Sequence, residues 1–241
     1  MNRLYFGDTR DLFRFDLVRH IIKSLHEIAG FTFIPMLTEP GARTGRGHTH
    51  KDLAKALETG KAGSQNRDLV SCMKRLQEIE SSLEYFTGIR TYFENEQIPA
   101  EIYARNRFSH ETRNQYFENI AGTLPVHSLI CVDPDTGLEE STPDDQHLLF
   151  TEVKKIHAHM DTGSVLMISQ HLPRAKQREL IRNRCRELAT LTGSRPAAIT
   201  DHEIVFFFLA KNPKLQERLF DSIESYANSY PDLRSYPYPS R

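Results

Sequence analysis

Apolar positions along this chain switch between a helical and a strand rhythm. Behind Asp8 and Thr9, Leu12, Phe13, Leu17, Ile21, Leu25 and Ile28 recur at helical spacing until Gly30. The pattern predicts a capped helix from residue 8 or 9 to about 30. Phe31 to Leu37 then predicts a strand, in which Pro35 is awkward because it donates no ladder hydrogen bond. Residues 38–50 are expected to form a loop. A second helix is expected from Asn66 to about Phe86, with Leu69, Val70, Met73, Leu76, Ile79 and Leu83 on one face, and a weaker third from His110 to Ala121. Between them, residues 87–109 are rich in charge and aromatics and show no period.

The second half is more regular. His127 to Val132 predicts a strand that Pro134 ends. A helix opening at Thr151-Glu152 carries Val153, Ile156 and Met160 to Gly163. Residues 164–169 predict the next strand, and Pro173 suits the first turn of a helix with Leu180, Ile181, Cys185, Leu188 and Leu191 inward. Residues 197–200 and 203–210 predict two strands joined by a tight turn at Asp201-His202, before a last helix near Pro213. Strands alternating with helices predict an α/β fold: a Rossmann-like, mostly parallel sheet with helices on both faces. The terminal hairpin adds an antiparallel strand at the edge. One domain is expected over residues 1–229, with a helical insertion at about 51–122. A loosely held tail, rich in Pro and Tyr, follows over 230–241.

At 241 residues the chain can bury a substantial core. A net charge of -1 provides no global field toward nucleic acid or anionic lipid, so any such contact must come from a local patch. Cys72, Cys131 and Cys185 are too dispersed for a zinc site and too few for a disulfide framework, which predicts free thiols in a reducing compartment. Neither a signal-peptide core nor an apolar run approaching the ~20 residues of a membrane span is present. A cytoplasmic protein is the expectation.

Candidate chemistry concentrates after the second predicted strand. Leu129-Ile130-Cys131-Val132 runs into Asp133-Pro134-Asp135-Thr136-Gly137-Leu138-Glu139-Glu140. Acids on the lip of a buried strand stand where open α/β sheets place their ligand crevice. Asp133, Asp135, Glu139 and Glu140 are hard oxygen donors suited to magnesium or manganese, and they can equally orient an amine or act as base. A turn that simply closes the strand is the plainer alternative. The next strand ends in Gln170-His171-Leu172-Pro173-Arg174. Parallel strands end on one edge, so His171 is expected beside Asp133 and Asp135 as base or phosphate ligand, or else as a helix cap. Arg174, Arg178, Arg182 and Arg186 lie four apart, a ridge that is either a solvated face or a track for a phosphate backbone. The expected loop with Glu39, Gly41, Arg43, Gly45, Arg46 and Gly47 follows the first strand, where a nucleotide-binding turn would lie, but it matches no established glycine motif, and a flexible surface loop is the plainer reading. At the front, Asp8 and Asp11 suit a helix start, which leaves Asp16 unexplained. Pro134-Asp135 with Glu152-Val153-Lys154 also satisfies the bare PD-(D/E)xK nuclease pattern, although helical spacing takes Glu152 and Lys154 off the strand that motif needs.

Tyr5-Phe6-Gly7-Asp8, Asp133 to Glu139 and Gln170 to Arg174 together resemble a bacterial and phage protein family with no assigned activity. More distantly, the order of parts is similar to class I S-adenosylmethionine-dependent methyltransferases, especially adenine-N6 enzymes of ribosomal RNA. That resemblance implies a methyltransferase-like enzyme acting on nucleic acid. It places Glu39, Gly41 and Gly45 at the S-adenosylmethionine turn and Asp133-Pro134 at the catalytic strand end; in such an enzyme Asp133, Asp135 and His171 would be the catalytic candidates, with His171, Arg174 and Arg178 toward substrate. Asp135 and Thr136 depart from the family's Asp-Pro-Pro-Tyr, adding a charge and losing the ring that stacks a flipped base. Two alternatives stand beside this one. The first is a magnesium- or manganese-dependent nuclease or phosphodiesterase using Asp133, Asp135, Glu139 or Glu140 and His171. The second is a non-enzymatic Rossmann-like module of a phage-related or defence system.

Overall fold

The computed structural model describes residues 6–38, 53–103 and 108–237. The chain runs α1 (Thr9–Ser24), β1 (Gly30–Pro35), α2 (Leu53–Thr59), α3 (Arg67–Leu76), α4 (Ser82–Asn95), β2 (Ala100–Ile102), α5 (Arg113–Ala121) and β3 (Ser128–Asp133). It continues through β4 (Gly137–Leu138), β5 (His147–Leu148), α6 (Phe150–His159), β6 (Val165–His171), α7 (Gln177–Thr192), β7 (Ala197–Thr200), β8 (Ile204–Ala210), α8 (Pro213–Asn228) and β9 (Arg234–Tyr236).

Seven strands form one sheet in the order β2-β1-β3-β6-β8-β7-β9, and β4 pairs with β5 alone. The first four strands of that order are mutually parallel, and β8 runs antiparallel to both β6 and β7. The central strands are apolar on both faces because both are covered. Leu129, Cys131, Val165, Met167, Phe206 and Phe208 meet α1, α3, α4 and α8. The alternate residues Ile130, Val132, Leu166, Ile168, Phe207 and Leu209 meet α5, α6 and α7. This is the expected α/β architecture with helices on both faces.

Several expectations need correction. Helix α1 ends at Ser24, well before Gly30. The single helix expected over 66–86 is two: Asn66 caps α3 through Leu69 N–H, and Ser81 caps α4 through Glu84 N–H after a break at Gln77. The helical insertion contains β2, too short at three residues to show a period. Pro35 is the last residue of β1, where the missing N–H costs little. Pro173 does not open α7, which begins at Gln177, because the Gln177 amide donates to the carbonyls of Pro173 and His202 and pins the preceding loop. The antiparallel β8 is interior, since it pairs with β6 along its whole length, and the edge strand is β9. The chain after Tyr230 is likewise not loose as far as residue 237: Leu233 is buried, and Arg234–Tyr236 pairs with β7. No helix among the described residues is long and apolar enough to cross a membrane. Cys72, Cys131 and Cys185 are buried free thiols, and burial raises the pKa of each.

Asp16, unexplained by helix-end electrostatics, is a buried tie between the first and last helices. Its carboxylate accepts from Tyr226 Oη at 2.8 Å, Tyr230 Oη at 3.2 Å and Asn66 Nδ2 at 2.8 Å. Tyr226→Phe removes one donor from a buried charge and is expected to lower unfolding free energy by about 1.5–3 kcal/mol in urea titration. A loss under about 0.5 kcal/mol, the usual range for a surface change, would show the tie to be unimportant.

Candidate functional site

From β1 the chain crosses to β2 on one side and then returns to lay β3 on the other. The carboxyl ends of β1 and β3 therefore flank the point where strand order reverses, which is where open α/β sheets bind ligands. Pro35 ends β1 there and Asp133 ends β3, and Met36 N–H donates to the Asp133 carbonyl at 3.1 Å.

The start of α1 is laid across this edge. Asp8 caps the helix through the N–H groups of Arg10 and Asp11. Arg14, one turn on, donates Nη2 to Asp133 Oδ1 at 2.6 Å and Nη1 to Asp11. Both Arg14 and Asp133 are 4% exposed. The Arg14 guanidinium also lies about 6 Å from the ring centres of Phe33 and Phe206. Asp11 accepts from Tyr85 Oη at 2.6 Å and from Gly7 N–H at 2.9 Å. Gly7 takes φ +72°, and a Cβ there would sit 3.1 Å from the Met73 carbonyl. Burial pushes the Asp11 carboxyl up to about 6 despite the guanidinium.

The second half of the site is the turn after β3. His171 N–H donates to the Thr136 carbonyl at 2.9 Å, which lays the Asp135-Thr136 turn over the end of β6. The turn needs Gly137, whose φ is +148° and whose Cβ would come 2.5 Å from Gln170 Cγ. Arg10 Nη1 lies 3.2 Å from His171 Nδ1, and Arg10 pairs with Asp8 at 2.6 Å. Burial, reinforced by Arg10, lowers His171 to about 4, so the imidazole is neutral at pH 7. Arginine can only donate, so Nδ1 accepts and Nε2 carries the proton. His171 is thereby a hydrogen-bond donor at Nε2 and not a ready base. Burial also raises the Asp135 carboxyl, an effect that the nearby Asp133 charge adds to and Arg10 opposes. Gln170 Oε1 is a buried acceptor without a hydrogen-bond partner among the described residues.

Asp133, Asp135 and His171 thus meet at one edge, as the parallel strand ends predicted. The other two carboxylates show no contact with this group. Glu139 Oε2 accepts from Phe150 N–H at the start of α6, and Glu140 is exposed. Among the described residues no group of three or more His, Cys, Asp or Glu is placed to hold a metal ion. Glu152 and Lys154 lie on α6, and Glu152 takes both oxygens to Arg113 at 2.6 and 3.1 Å, so the PD-(D/E)xK geometry does not form. Arg174 and Arg178 are exposed beyond the end of β6. Glu39, Gly41 and Gly45, with Tyr5 of the front motif, lie outside the described residues. Arg10, Arg14 and Tyr85 escaped sequence reasoning. The one signal for Arg14 was a charge set among Leu12, Phe13, Phe15 and Leu17, where a solvated side chain is out of place. Comparison with protein-family models and with curated proteins finds no match to this chain.

Two measurements check the arrangement. Arg14→Met leaves two buried carboxylates without their cation and is expected to cost about 3–5 kcal/mol of stability, against little change for an exposed Arg218→Met. Long-range proton–nitrogen NMR should show His171 protonated at Nε2 and titrating near pH 4. The folded pKa lies below the unfolded value, so stability from this group is present above about pH 6.5 and is lost as pH falls toward 4. A midpoint near 6.5 would overturn the assignment.

Proposed function

We propose that the protein is a group-transfer enzyme of the methyltransferase type, taking S-adenosylmethionine at the β1–β3 switch point and presenting its acceptor beside Asp135 and His171. The observation that carries this reading is the coincidence of the switch point with the Asp133-Pro134-Asp135-Thr136 turn, locked over His171 by a backbone hydrogen bond. The interior antiparallel β8, between β6 and β7, agrees with the closing strand pair that the resemblance implies. The polar groups at the edge fit such a donor in kind, because a nucleoside with amine and carboxylate groups needs both acceptors and donors. Gln170 Oε1 is a buried acceptor without a hydrogen-bond partner among the described residues, suited to an amine of the methyl donor.

S-adenosylmethionine supplies an electrophilic methyl group when bound. The chain's own residues then divide the work. Asp135, the less buried acid, accepts a hydrogen bond from the acceptor's N–H or O–H and takes its proton. Its raised pKa suits that task better than an ordinary carboxylate would. His171 donates at Nε2 to a carbonyl or phosphate oxygen, held in that tautomer by Arg10. Asp133, almost fully covered and held by Arg14, is a positioning residue that fixes the strand end rather than a group that meets the acceptor.

Isothermal titration of the purified protein with S-adenosylmethionine and S-adenosylhomocysteine tests the reading. Both are expected to bind, and the Glu39→Ala, Gly41→Ala double variant is expected to weaken binding at least about tenfold, or 1.4 kcal/mol. Asp135→Asn should leave donor affinity unchanged. No binding of either compound by the parent protein would overturn the proposal and favour a module without donor chemistry.

A further inference from the structure

We propose that the basic groove opening directly beyond the end of β6 binds the phosphate backbone of single-stranded nucleic acid, which names the acceptor for the site above and rests on that reading for its chemistry. The groove is lined by Arg174, Lys176, Gln177, Arg178, Glu179 and Arg182. Arg174, Lys176, Arg178, Arg182 and Arg186 are all exposed, and none forms an ion pair among the described residues. Arg184, on the same helix, shows what a structural arginine looks like here. It is half-buried, pairs with Glu187 at 2.9 Å, donates to the Glu139 carbonyl at 2.8 Å and lies over the Phe150 ring. The groove arginines have none of these ties, which separates them from a merely solvated, salt-bridged face.

The placement of the groove supports the same partner. Arg178, Arg182 and Arg186 follow one another at four-residue intervals along α7, about 6 Å apart, and so present repeated positive charge in a row. Only residues 172–176 separate α7 from His171. That loop is held in place: Leu172 N–H donates to the Glu203 carbonyl, and the Gln177 amide donates to Pro173 and His202. A strand lying along α7 is thereby led to the end of β6, where His171 and Asp135 stand. The net charge of the chain is -1, so this row is a local feature and not part of a general basic surface. An unpaired strand is the form required, because a base must leave its stack to reach an enzyme's reacting groups.

The test is fluorescence anisotropy with a labelled single-stranded RNA of about 20 nucleotides, over a series of salt concentrations. The Arg174→Gln, Arg178→Gln, Arg182→Gln triple variant is compared with Lys55→Gln, Arg67→Gln, Lys74→Gln, an equal charge change at exposed positions elsewhere. The groove variant is expected to bind at least about tenfold more weakly at low salt, with the log–log salt slope reduced by about 2, some 0.7 for each phosphate left without its cation. The control variant should stay within about twofold of the parent, because none of its substituted cations faces the strand. Donor titration on the groove variant separates the two proposals: unchanged S-adenosylmethionine affinity with weakened RNA affinity assigns the loss to the groove. RNA binding without donor binding would overturn the methyltransferase reading and leave the groove standing. Equal losses in both triple variants, an unaltered groove variant, or binding to phosphatidylserine vesicles instead of RNA would overturn the groove.

Discussion

The buried guanidinium of Arg14 is the interaction on which the functional edge depends. It joins a carboxylate of its own helix, Asp11, to one at the end of β3, Asp133. Without it two buried carboxyl groups would lose their cation, and an unpaired buried charge costs several kcal/mol. The arrangement fixes the rotation of α1 as well as its position, since a helix turned by one residue would carry the fork away from both acids. Tyr85 extends the network to α4. Three separate parts of the chain are thus held to a common geometry beside the strand ends.

Around this anchor the more exposed polar groups acquire distinct roles. Arg10, one turn earlier on α1, faces His171, and its charge helps keep the ring neutral. Asp135 lies far enough out to meet a ligand yet is covered enough for burial to raise its pKa. Two acids separated by a single proline therefore sit in different environments, one locked to Arg14 and one nearer the rim. Pro134 separates them along the chain, and Gly137, at φ +148°, lets the turn that carries Asp135 fold over the end of β6.

Much of this was legible from the amino-acid sequence. The apolar runs at 129–132, 165–168 and 204–210 announced strands covered on both faces, and the shared direction of neighbouring strands placed His171 beside Asp133 and Asp135. Short edge elements were not legible. Three residues such as Ala100–Ile102 or Arg234–Tyr236 hold no period, and pairing with a strand far along the chain decides them. The buried ionic groups were hidden for the same reason: Arg14 finds Asp133 119 positions away, a distance that no local pattern encodes. Glu139 was grouped with its neighbours by proximity in sequence, yet its side chain turns to the start of α6. Adjacency along the chain was a poor guide to which acids share a site, whereas strand direction was a good one.

The tie at Asp16 has a kinetic meaning as well as an energetic one. Its tyrosine donors lie 210 and 214 residues further along the chain. During vectorial synthesis α1 emerges long before α8, with the Asp16 carboxylate in water, and it cannot dock against α8 until the intervening residues have followed. Closing so long a loop is entropically costly and slow. The same helix carries Arg10 and Arg14, so the functional edge is completed only when the far end of the domain arrives. Loss of α8 would take Tyr226 and its hydroxyl from Asp16, on the same helix that carries Arg10 and Arg14 to the strand ends.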